Sequence, residues 1–246
     1  NFQSHIEQAA FEKMVEEARS LIRQGDMFQC VLSQRFSAEY SGRPLDYYRN
    51  LRVTNPSNYL YFYDFGDYQI IGASPESLVS VKQGQVTTNP IAGTRPRGQD
   101  EREDKALAKE LLADEKEVAE HRMLVDLGRN DIGKIAQNNS VEVTKYMEVE
   151  YFRYVMHLTS VVRGQLLPQL TAMDALKSTL PAGTVSGAPK IRAMKRIYEL
   201  EQEKRGVYAG AIGYLSATGD MDFAIAIRTM ILKNGRAYVQ AGAGIV

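Results

Sequence analysis

The sequence predicts an α+β fold built on mostly antiparallel sheet, and two features of its pattern support that prediction. Strand-like segments alternate apolar and polar residues and are joined by tight turns such as Gly66-Asp67 and Asn234-Gly235. Helical segments come in separate blocks instead of following each strand, which disfavours a doubly wound parallel sheet. No linker rich in Pro, Gly or Ser divides the 246 residues, so we expect one domain.

The first third of the chain is expected to begin with a helix that strands follow. Ser4 and Glu7 have the spacing of a capping box, and the apolar residues after them recur at helical spacing up to Gly25. Residues 27–36 alternate as a strand, and a second, short helix is expected to begin at Pro44. Two hairpins follow, with strands expected at 59–65, 68–73, 78–82 and 85–88.

The rest of the chain contains both kinds of element. Helices are expected at 102–112, 114–127, 171–180 and 189–204. Strands are expected at 141–149, 155–163, 208–216, 221–232 and 236–240. The Gly- and Ala-rich stretch 181–188 joins two of the helices and is expected to form a loop.

Charge and cysteine content limit the classes of function. The 30 Lys and Arg residues equal the 30 Asp and Glu residues, and this balance argues against a nucleic-acid binder held by phosphate neutralisation. No apolar run reaches the roughly 18 residues of a membrane span, and no signal peptide opens the chain. The single cysteine, Cys30, permits no internal disulfide and suits a reducing compartment. We therefore expect a cytoplasmic globular protein without nucleic-acid or membrane partners.

Residues 181–190, PAGTVSGAPK, carry the most chemical information. Gly183 and Gly187 let the backbone approach a ligand closely, and Pro189 suits the first position of the helix that follows. Free N–H groups at that helix end favour a bound anion, to which Thr184 could add its hydroxyl. The same residues also suit an ordinary Gly-rich entry into a helix, and both interpretations stay open.

Two carboxylates, Glu117 and Glu120, lie three residues apart on an expected helix and so share one face. Paired carboxylates on a rigid element suit Mg²⁺, a hard ion that prefers oxygen ligands. The alternative interpretation is a solvated acidic face beside Lys116 and Arg122, and spacing alone favours that alternative.

Four further residues attract attention, three of them with two interpretations each. His157, in an apolar strand, is either a hydrogen-bonded core residue or a group that transfers protons near neutral pH. Glu76, after a Ser-Pro turn, is either a general acid or a cap. Arg228 lies inside an apolar expected strand, so either a bound carboxylate or an internal acid would offset its charge. Tyr208, by itself, is an amphipathic sheet residue.

Taken together, eight segments resemble the chorismate-utilising enzymes, and most closely the anthranilate synthase branch of that family. They occur in the family's order over nearly the whole chain, which makes the resemblance far more specific than any one motif. The segments are GASPE (72–76), PIAGTRPRG (90–98), DEKEVAEHRMLVDLGRNDIGKI (114–135), VMHL (155–158), LPAGTVSGAPKIRAM (180–194), GAIGY (210–214), AIAIRTM (224–230) and AGAGIV (241–246).

The resemblance implies two mostly antiparallel sheets packed as a sandwich, with helices outside and the active site in the cleft between the sheets. It implies Mg²⁺-dependent amination of chorismate with ammonia, followed by elimination of pyruvate to give anthranilate for tryptophan biosynthesis. A glutamine amidotransferase subunit would supply the ammonia. Residues 1–246 would form a chorismate-binding catalytic domain, truncated at both ends relative to the family, and 55–61 (NPSNYLY) resembles part of a tryptophan feedback site.

By position, the resemblance also implies roles for individual residues. Glu120 matches a Mg²⁺ ligand, and Glu117 belongs to the same acidic shell. Glu76 matches the general acid for loss of the ring hydroxyl, and His157 matches the residue that assists the elimination. The positions that match the groups holding the substrate's two carboxylates are Gly183, Thr184, Tyr208, Arg228, Ala243 and Gly244.

Two positions separate the branches of the family. Ala92 occupies the place where aminodeoxychorismate synthases typically carry a Lys nucleophile, and a methyl group cannot form that covalent adduct. Gln29 sits where isochorismate and salicylate synthases carry a Lys general base; its amide cannot take a proton at neutral pH, although it could orient ammonia. Both residues favour ammonia as the nucleophile. The alternatives are aminodeoxychorismate synthase, another chorismate-utilising enzyme, or a fragment that binds ligand or partner without turnover.

Overall fold

A computed structural model describes residues 1–246, which form six α-helices and fourteen strands. The helices are α1 (Gln8–Arg23), α2 (Pro44–Thr54), α3 (Glu101–Ala113), α4 (Glu115–Gly133), α5 (Ala172–Thr179) and α6 (Lys190–Leu200). The strands are β1 (Gln3–Ser4), β2 (Gln29–Glu39), β3 (Tyr59–Asp64), β4 (Tyr68–Ser74), β5 (Ser77–Lys82), β6 (Gln85–Thr88), β7 (Ile91–Pro96), β8 (Glu142–Tyr151), β9 (Val155–Gln165), β10 (Gly187–Ala188), β11 (Ala211–Leu215), β12 (Met221–Ile225), β13 (Thr229–Lys233) and β14 (Arg236–Ile245).

The strands form two antiparallel sheets of seven strands each. In the first sheet the strand order is β1-β2-β14-β13-β4-β3, and β10 pairs with β2. In the second sheet the order is β11-β12-β5-β6-β9-β7, and β8 pairs with β9. Antiparallel sheets with helices in separate blocks confirm the predicted α+β class.

The chain divides into two compact units. The first comprises Asn1–Glu76, Pro181–Ile212 and Ala224–Val246, and the second comprises Ser77–Leu180 and Gly213–Phe223. The expected single catalytic domain, the sandwich and the cleft stay predictions. None of the six helices combines the length and the apolar character that a membrane span requires.

In the first unit, apolar faces of helices pack on the first sheet. Met14 and Ala18 of α1 and Ile197 of α6 form a buried cluster with Cys30 and Leu32 of β2. Full burial of one large aliphatic side chain contributes about 1.5–3 kcal/mol. This cluster ties α6, the helix that follows the Gly-rich loop, to β2.

In the second unit, α3 and α4 pack on β7 and β9. Leu111 of α3 forms a buried cluster with Met156 and Leu158 of β9, and Val118 of α4 packs against that cluster. His157 lies between two members of the cluster in sequence but is only half-buried itself. The packing therefore fixes the strand that carries His157 against the helix that carries the paired carboxylates.

The expected strand 221–232 is broken in the structure. β12 ends at Ile225 and β13 begins at Thr229, so Arg228 lies between two strands and not inside one. Its backbone has a φ of +49°, in the left-handed region and outside the range of a regular strand, and its side chain is exposed. The break escapes a pattern-based prediction because the residues on both sides of Arg228 are apolar and suit a strand.

The segment between α6 and β11 is longer than expected. The expected helix 189–204 ends at Leu200, because Glu201 adopts extended backbone angles (φ −76°, ψ 129°). The expected strand 208–216 begins at Ala211, so Tyr208 lies before the strand and not in it. Together these differences leave residues 201–210 as one irregular segment, and Tyr208 of the candidate site lies in it.

The predicted capping box at Ser4 and Glu7 is wrong. Helix α1 begins at Gln8, and Glu7 is its N-cap residue without a side-chain capping bond. Ser4 belongs to β1 and pairs with Phe36, so the chain is extended where the prediction places a helix end. A capping box does form at Thr171, ahead of α5.

Candidate functional site

The predicted site residues fall into one cluster in each compact unit. The first cluster belongs to the first unit and contains Gln29, Glu76, Gly183, Thr184, Tyr208, Arg228, Ala243 and Gly244. The second cluster belongs to the second unit and contains Ala92, Glu117, Glu120 and His157. Each cluster has its own geometry.

The Gly-rich loop of the first cluster is held by β2. Residues 183–185 form a short 3₁₀ turn, and β10 then pairs with β2 so that Gly187 lies opposite Cys30. A Cβ at Gly187 would lie 2.1 Å from the carbonyl oxygen of Gln29, and the φ of Gly187 is +139°, so only glycine fits there. Pro189 was predicted to be the first residue of the helix, but α6 begins at Lys190 and Pro189 is its N-cap residue.

The loop presents Thr184 to Glu76. The Oγ1 of Thr184 donates a hydrogen bond of 2.9 Å to Oε1 of Glu76, which follows β4 after Pro75. The carbonyl of Glu76 accepts the N–H of Ile225 at 3.0 Å, which holds the backbone of this turn. Glu76 is therefore anchored on both its main chain and its side chain.

Glu76 has the electrostatic character of a proton carrier. Burial raises the pKa of its carboxyl from 4.5 to about 7, although the Thr184 hydrogen bond and the positive charge of Arg228 both lower it. A carboxyl with a pKa near 7 carries a proton in a large fraction of molecules at neutral pH. This supports the general-acid interpretation of Glu76 over the cap interpretation.

Arg228 presents a cation beside this carboxyl. Its backbone is fixed because its carbonyl accepts the N–H of Ala73 at 3.2 Å. Because Glu76 is largely protonated below pH 7, it offsets little of the charge of Arg228 there. Since the side chain of Arg228 is exposed, solvent also offsets its charge, and a bound carboxylate at this position stays a prediction.

Tyr208 and Gln29 lie against the glycines of β14. A Cβ at Gly242 would lie 2.5 Å from the hydroxyl oxygen of Tyr208, and burial raises the pKa of that hydroxyl. A Cβ at Gly244 would lie 2.9 Å from Nε2 of Gln29. Gly242 and Gly244 therefore leave room for the side chains of Tyr208 and Gln29. Ala243, between the two glycines in sequence, is exposed.

The second cluster is organised by a bulge in β7. Ala92 pairs with Leu158 and Thr94 pairs with His157, so Gly93 is the extra residue between them. Gly93 has a φ of +76°, a conformation that favours glycine. Bulges of this kind redirect backbone groups and side chains beside functional sites.

The bulge sets the tautomer of His157. The Nδ1 of His157 lies 3.1 Å from the carbonyl oxygen of Gly93 and 3.0 Å from Oγ1 of Thr94. A carbonyl oxygen only accepts hydrogen bonds, so Nδ1 carries the hydrogen and donates. In the neutral ring the lone pair then lies on Nε2, which can accept a proton.

The core histidine of this unit is His121, not His157. His121 is fully buried on α4, and its Nε2 lies 2.6 Å from Oγ of Ser160. Burial lowers the pKa of His121 to about 4, so it stays neutral at physiological pH. His157 is half-buried, which leaves it available for proton transfer.

Glu117 lies beside the same bulge. Asp114 caps α4 and accepts the N–H groups of Lys116 and Glu117, both at 3.1 Å. A Cβ at Gly93 would lie 3.3 Å from Oε2 of Glu117, so the carboxylate uses the space that the glycine leaves. Glu120 follows three residues later on α4 and is also half-buried.

Glu117 and Glu120 suit a Mg²⁺ site in which the ion keeps several of its water ligands. No group of three or more His, Cys, Asp or Glu side chains is arranged to hold an ion. Mg²⁺ is commonly bound through one or two carboxylates, with the remaining positions filled by water and substrate oxygens. Glu117 lies beside the side-chain-free bulge and Glu120 lies one turn later on the same helix, and this pair matches that mode better than a closed cage.

Sequence reasoning assigned no role to Gly93 and Thr94. Both belong to the segment PIAGTRPRG, but β7 was absent from the predicted strands, so nothing placed Thr94 opposite His157. A glycine in an extended apolar segment is a signal for a bulge and could have identified Gly93.

Comparison with known proteins identifies relatives. The family described as chorismate binding enzyme matches residues 1–246. Anthranilate synthase component 1 of Lactococcus lactis subsp. lactis is 63% identical over 100% of this chain and 54% of that protein. Anthranilate synthase component I from Streptococcus pneumoniae, a crystal structure, is 81% identical with a TM-score of 0.94, over 100% of this chain and 55% of that one.

A more distant structure shares the fold. The menaquinone-specific isochorismate synthase from Escherichia coli has a TM-score of 0.90 at 24% identity, over 100% of this chain and 57% of that one. The chain thus spans about half the length of the relatives it matches. Because the family match extends over all 246 residues, the predicted resemblance is confirmed, and the chain belongs to the chorismate binding enzyme family.

Proposed function

We propose that this chain is the chorismate-binding catalytic part of an anthranilate synthase component I, a lyase of tryptophan biosynthesis. The observation that carries the proposal is the contact of the Gly-rich loop, through Thr184, with Glu76, a carboxyl whose pKa burial raises to about 7 and on which the charge of Arg228 acts. Relatives that share this name are 53–63% identical over nearly the whole chain, which supports the branch. Cytoplasmic location follows from the biosynthetic role and suits the single free, buried cysteine.

In this proposal, the first cluster binds chorismate and protonates its leaving group. Tyr208 and Arg228 donate hydrogen bonds to the two carboxylates of chorismate, together with backbone groups at Gly183, Ala243 and Gly244. Thr184 has one hydroxyl hydrogen, which it donates to Glu76 in the free protein, so its hydroxyl turns from Glu76 to a carboxylate when chorismate binds. Glu76 gives its proton to the ring hydroxyl, which leaves as water while ammonia forms the new C–N bond. The raised pKa of Glu76 supports this role, because an ionised carboxylate has no proton to give.

The second cluster supplies the metal ligands and a proton acceptor. Glu117 and Glu120 would hold Mg²⁺, which when bound supplies positive charge that a carboxylate of the substrate can coordinate. His157 accepts a proton at Nε2 during the elimination of pyruvate, while Gly93 and Thr94 hold its Nδ1. The fixed tautomer of His157 supports this role.

Ammonia is the proposed nucleophile. Ala92 offers no amine for a covalent adduct, and the amide of Gln29 cannot act as a base toward water. Gln29 is 3% exposed and lies against Gly244, and this confined position supports a role for its amide in orienting ammonia. We infer that a glutamine amidotransferase, the second component that the relatives' name implies, delivers this ammonia.

The proposal is tested by product analysis with the full-length protein. Incubation with chorismate, Mg²⁺ and ammonium is expected to yield fluorescent anthranilate, and adding the amidotransferase should let glutamine replace ammonium. Aminodeoxychorismate or isochorismate as the only product would overturn the branch assignment. Chorismate binding without turnover would support a binding role alone. Tryptophan, added to the same assay, tests the predicted feedback site at 55–61.

A further inference from the structure

Arg205, in the segment between α6 and β11, donates four hydrogen bonds to three different parts of the chain. Its NH1 donates to the carbonyl of Val185 at 2.5 Å, and its NH2 donates to the carbonyl of Val31 at 2.6 Å. Its Nε and NH2 also donate to the two carboxylate oxygens of Glu201, at 2.8 and 2.6 Å. One guanidinium therefore joins the Gly-rich loop, β2 and the end of α6.

The partner of Arg205 is itself anchored to the sheet. The Oε1 of Glu201 accepts the backbone N–H of Ser33 at 2.8 Å and the Oγ of Ser33 at 2.9 Å. The side chains of Arg205 and Glu201 are only 16% and 6% exposed, so solvent screens this ion pair little. The pair is thus a rigid link and not a mobile surface contact.

The contacts of Arg205 lead to three predicted substrate-binding positions. Val185 directly follows Thr184 in the 3₁₀ turn. The guanidinium carbon lies 5.5 Å from the ring centre of Tyr208, within the range of a cation–π contact. Val31 pairs with Gly244 across β2 and β14. Arg205 itself belongs to none of the motifs that carry the family resemblance.

We propose that Arg205, held by Glu201, is the positioning residue of the carboxylate-binding cluster, an inference that rests on the proposed function. Its hydrogen bond to the carbonyl of Val185 holds Thr184 in position, and its cation–π contact holds the ring of Tyr208 in position. Only a planar guanidinium reaches two carbonyls and a bidentate carboxylate at once, so lysine cannot replace it.

The experiment compares Arg205→Lys with a matched control, Arg196→Lys, in the full-length protein. Arg196 also forms a multidentate pair, with Asp26, and is 22% exposed, but its contacts lead to no predicted substrate-binding residue. Four quantities are measured for each variant: the Kd of chorismate with Mg²⁺ by calorimetry, KM and kcat for anthranilate formation, and amide hydrogen exchange over 181–188.

We expect Arg205→Lys to raise Kd and KM about tenfold while kcat changes less than about twofold, since binding groups are displaced but the acid and base remain. Amide exchange over 181–188 should accelerate in this variant. In Arg196→Lys, the Tm should fall while Kd, KM and loop exchange match the wild type. Glu201→Gln should show the same pattern as Arg205→Lys with a smaller rise in KM.

Equal Kd values in Arg205→Lys and Arg196→Lys, with unchanged exchange of the loop, would overturn the positioning role. If Arg205→Lys does not fold, a wild-type KM in Glu201→Gln would overturn it equally. The amide exchange measurement needs no substrate, so it tests whether Arg205 holds the Gly-rich loop even if the protein makes no anthranilate. Absence of anthranilate from the wild type would overturn the proposed reaction and not the role of Arg205 in holding the loop.

Discussion

Each of the two compact units holds one cluster of predicted site residues, and the two clusters are chemically opposite. The first unit offers a hydroxyl, a guanidinium and a carboxyl whose pKa burial raises to about 7. The second unit offers the carboxylates of Glu117 and Glu120 and an imidazole with its lone pair on Nε2. The first set suits an anionic ligand and proton donation, whereas the second suits a cation and proton acceptance.

The two clusters also differ in how the chain assembles them. Thr184 and Glu76 are 108 residues apart in sequence, so their contact depends on the whole first unit. Thr94 and His157 are neighbours in one strand ladder, so their contact depends on a single bulge. We therefore expect the first cluster to be sensitive to distant changes and the second to local ones.

The largest expected effect comes from removing the proton of the first cluster. Glu76→Gln keeps the size of the side chain but cannot donate an acidic proton, so kcat should fall by about 10²- to 10⁴-fold. Steady-state assays with ammonium measure this, with Glu110→Gln, an exposed glutamate of α3, as the control. A wild-type kcat in Glu76→Gln would show that Glu76 donates no proton in the reaction, and the first cluster would then not be the proton-donating one.

Gly187→Ala tests whether the first cluster depends on distant packing. The new methyl group would meet the Gln29 carbonyl at 2.1 Å, so the free energy of unfolding should fall by about 3 kcal/mol. Gly25→Ala is the matched control, because Gly25 also has a positive φ but nothing within 4 Å, and it should cost only about 1 kcal/mol. If urea unfolding shows the same loss of unfolding free energy in both variants, the close approach of Gly187 to the Gln29 carbonyl is contradicted.

Thr94→Val tests the local character of the second cluster. The change removes one of the two contacts of His157 Nδ1 but leaves the Gly93 carbonyl, so we expect kcat to fall about tenfold with little change in stability. Thr159→Val, in the same β9 ladder, removes a hydroxyl that contacts only Glu148 and should leave kcat unchanged. Equal kcat values in the two variants would show that Thr94 has no part in orienting His157.

The last prediction concerns the pH dependence of stability. The folded-state pKa of Glu76 is about 7, above its ordinary value of 4.5, so the folded state favours the protonated carboxyl. Its contribution is fully present below pH 4.5 and is lost as the pH rises through 7. Relative to Glu76→Gln, the wild type should therefore lose stability between pH 5 and pH 8, measured by urea unfolding. A constant difference would mean that the carboxyl is already ionised.

Part of the candidate site could be predicted from local pattern alone. The spacing of Glu117 and Glu120 fixes their common helix face, and Gly187 reports a close backbone approach. Arg228 was assigned to a strand because its neighbours are apolar, although its backbone leaves the sheet. Thr94 and Arg205 were missed because their importance lies in contacts with distant residues.

By itself, the sequence determined the α+β class, most helices and hairpins, and the family, because periodicity and motif order are properties of the chain. The tertiary structure alone decided the chemical state of the groups. Whether Glu76 holds a proton depends on burial and on Thr184, 108 residues away, and the tautomer of His157 depends on a bulge in a neighbouring strand. Protonation follows the local environment, and folding brings that environment together from separate parts of the chain.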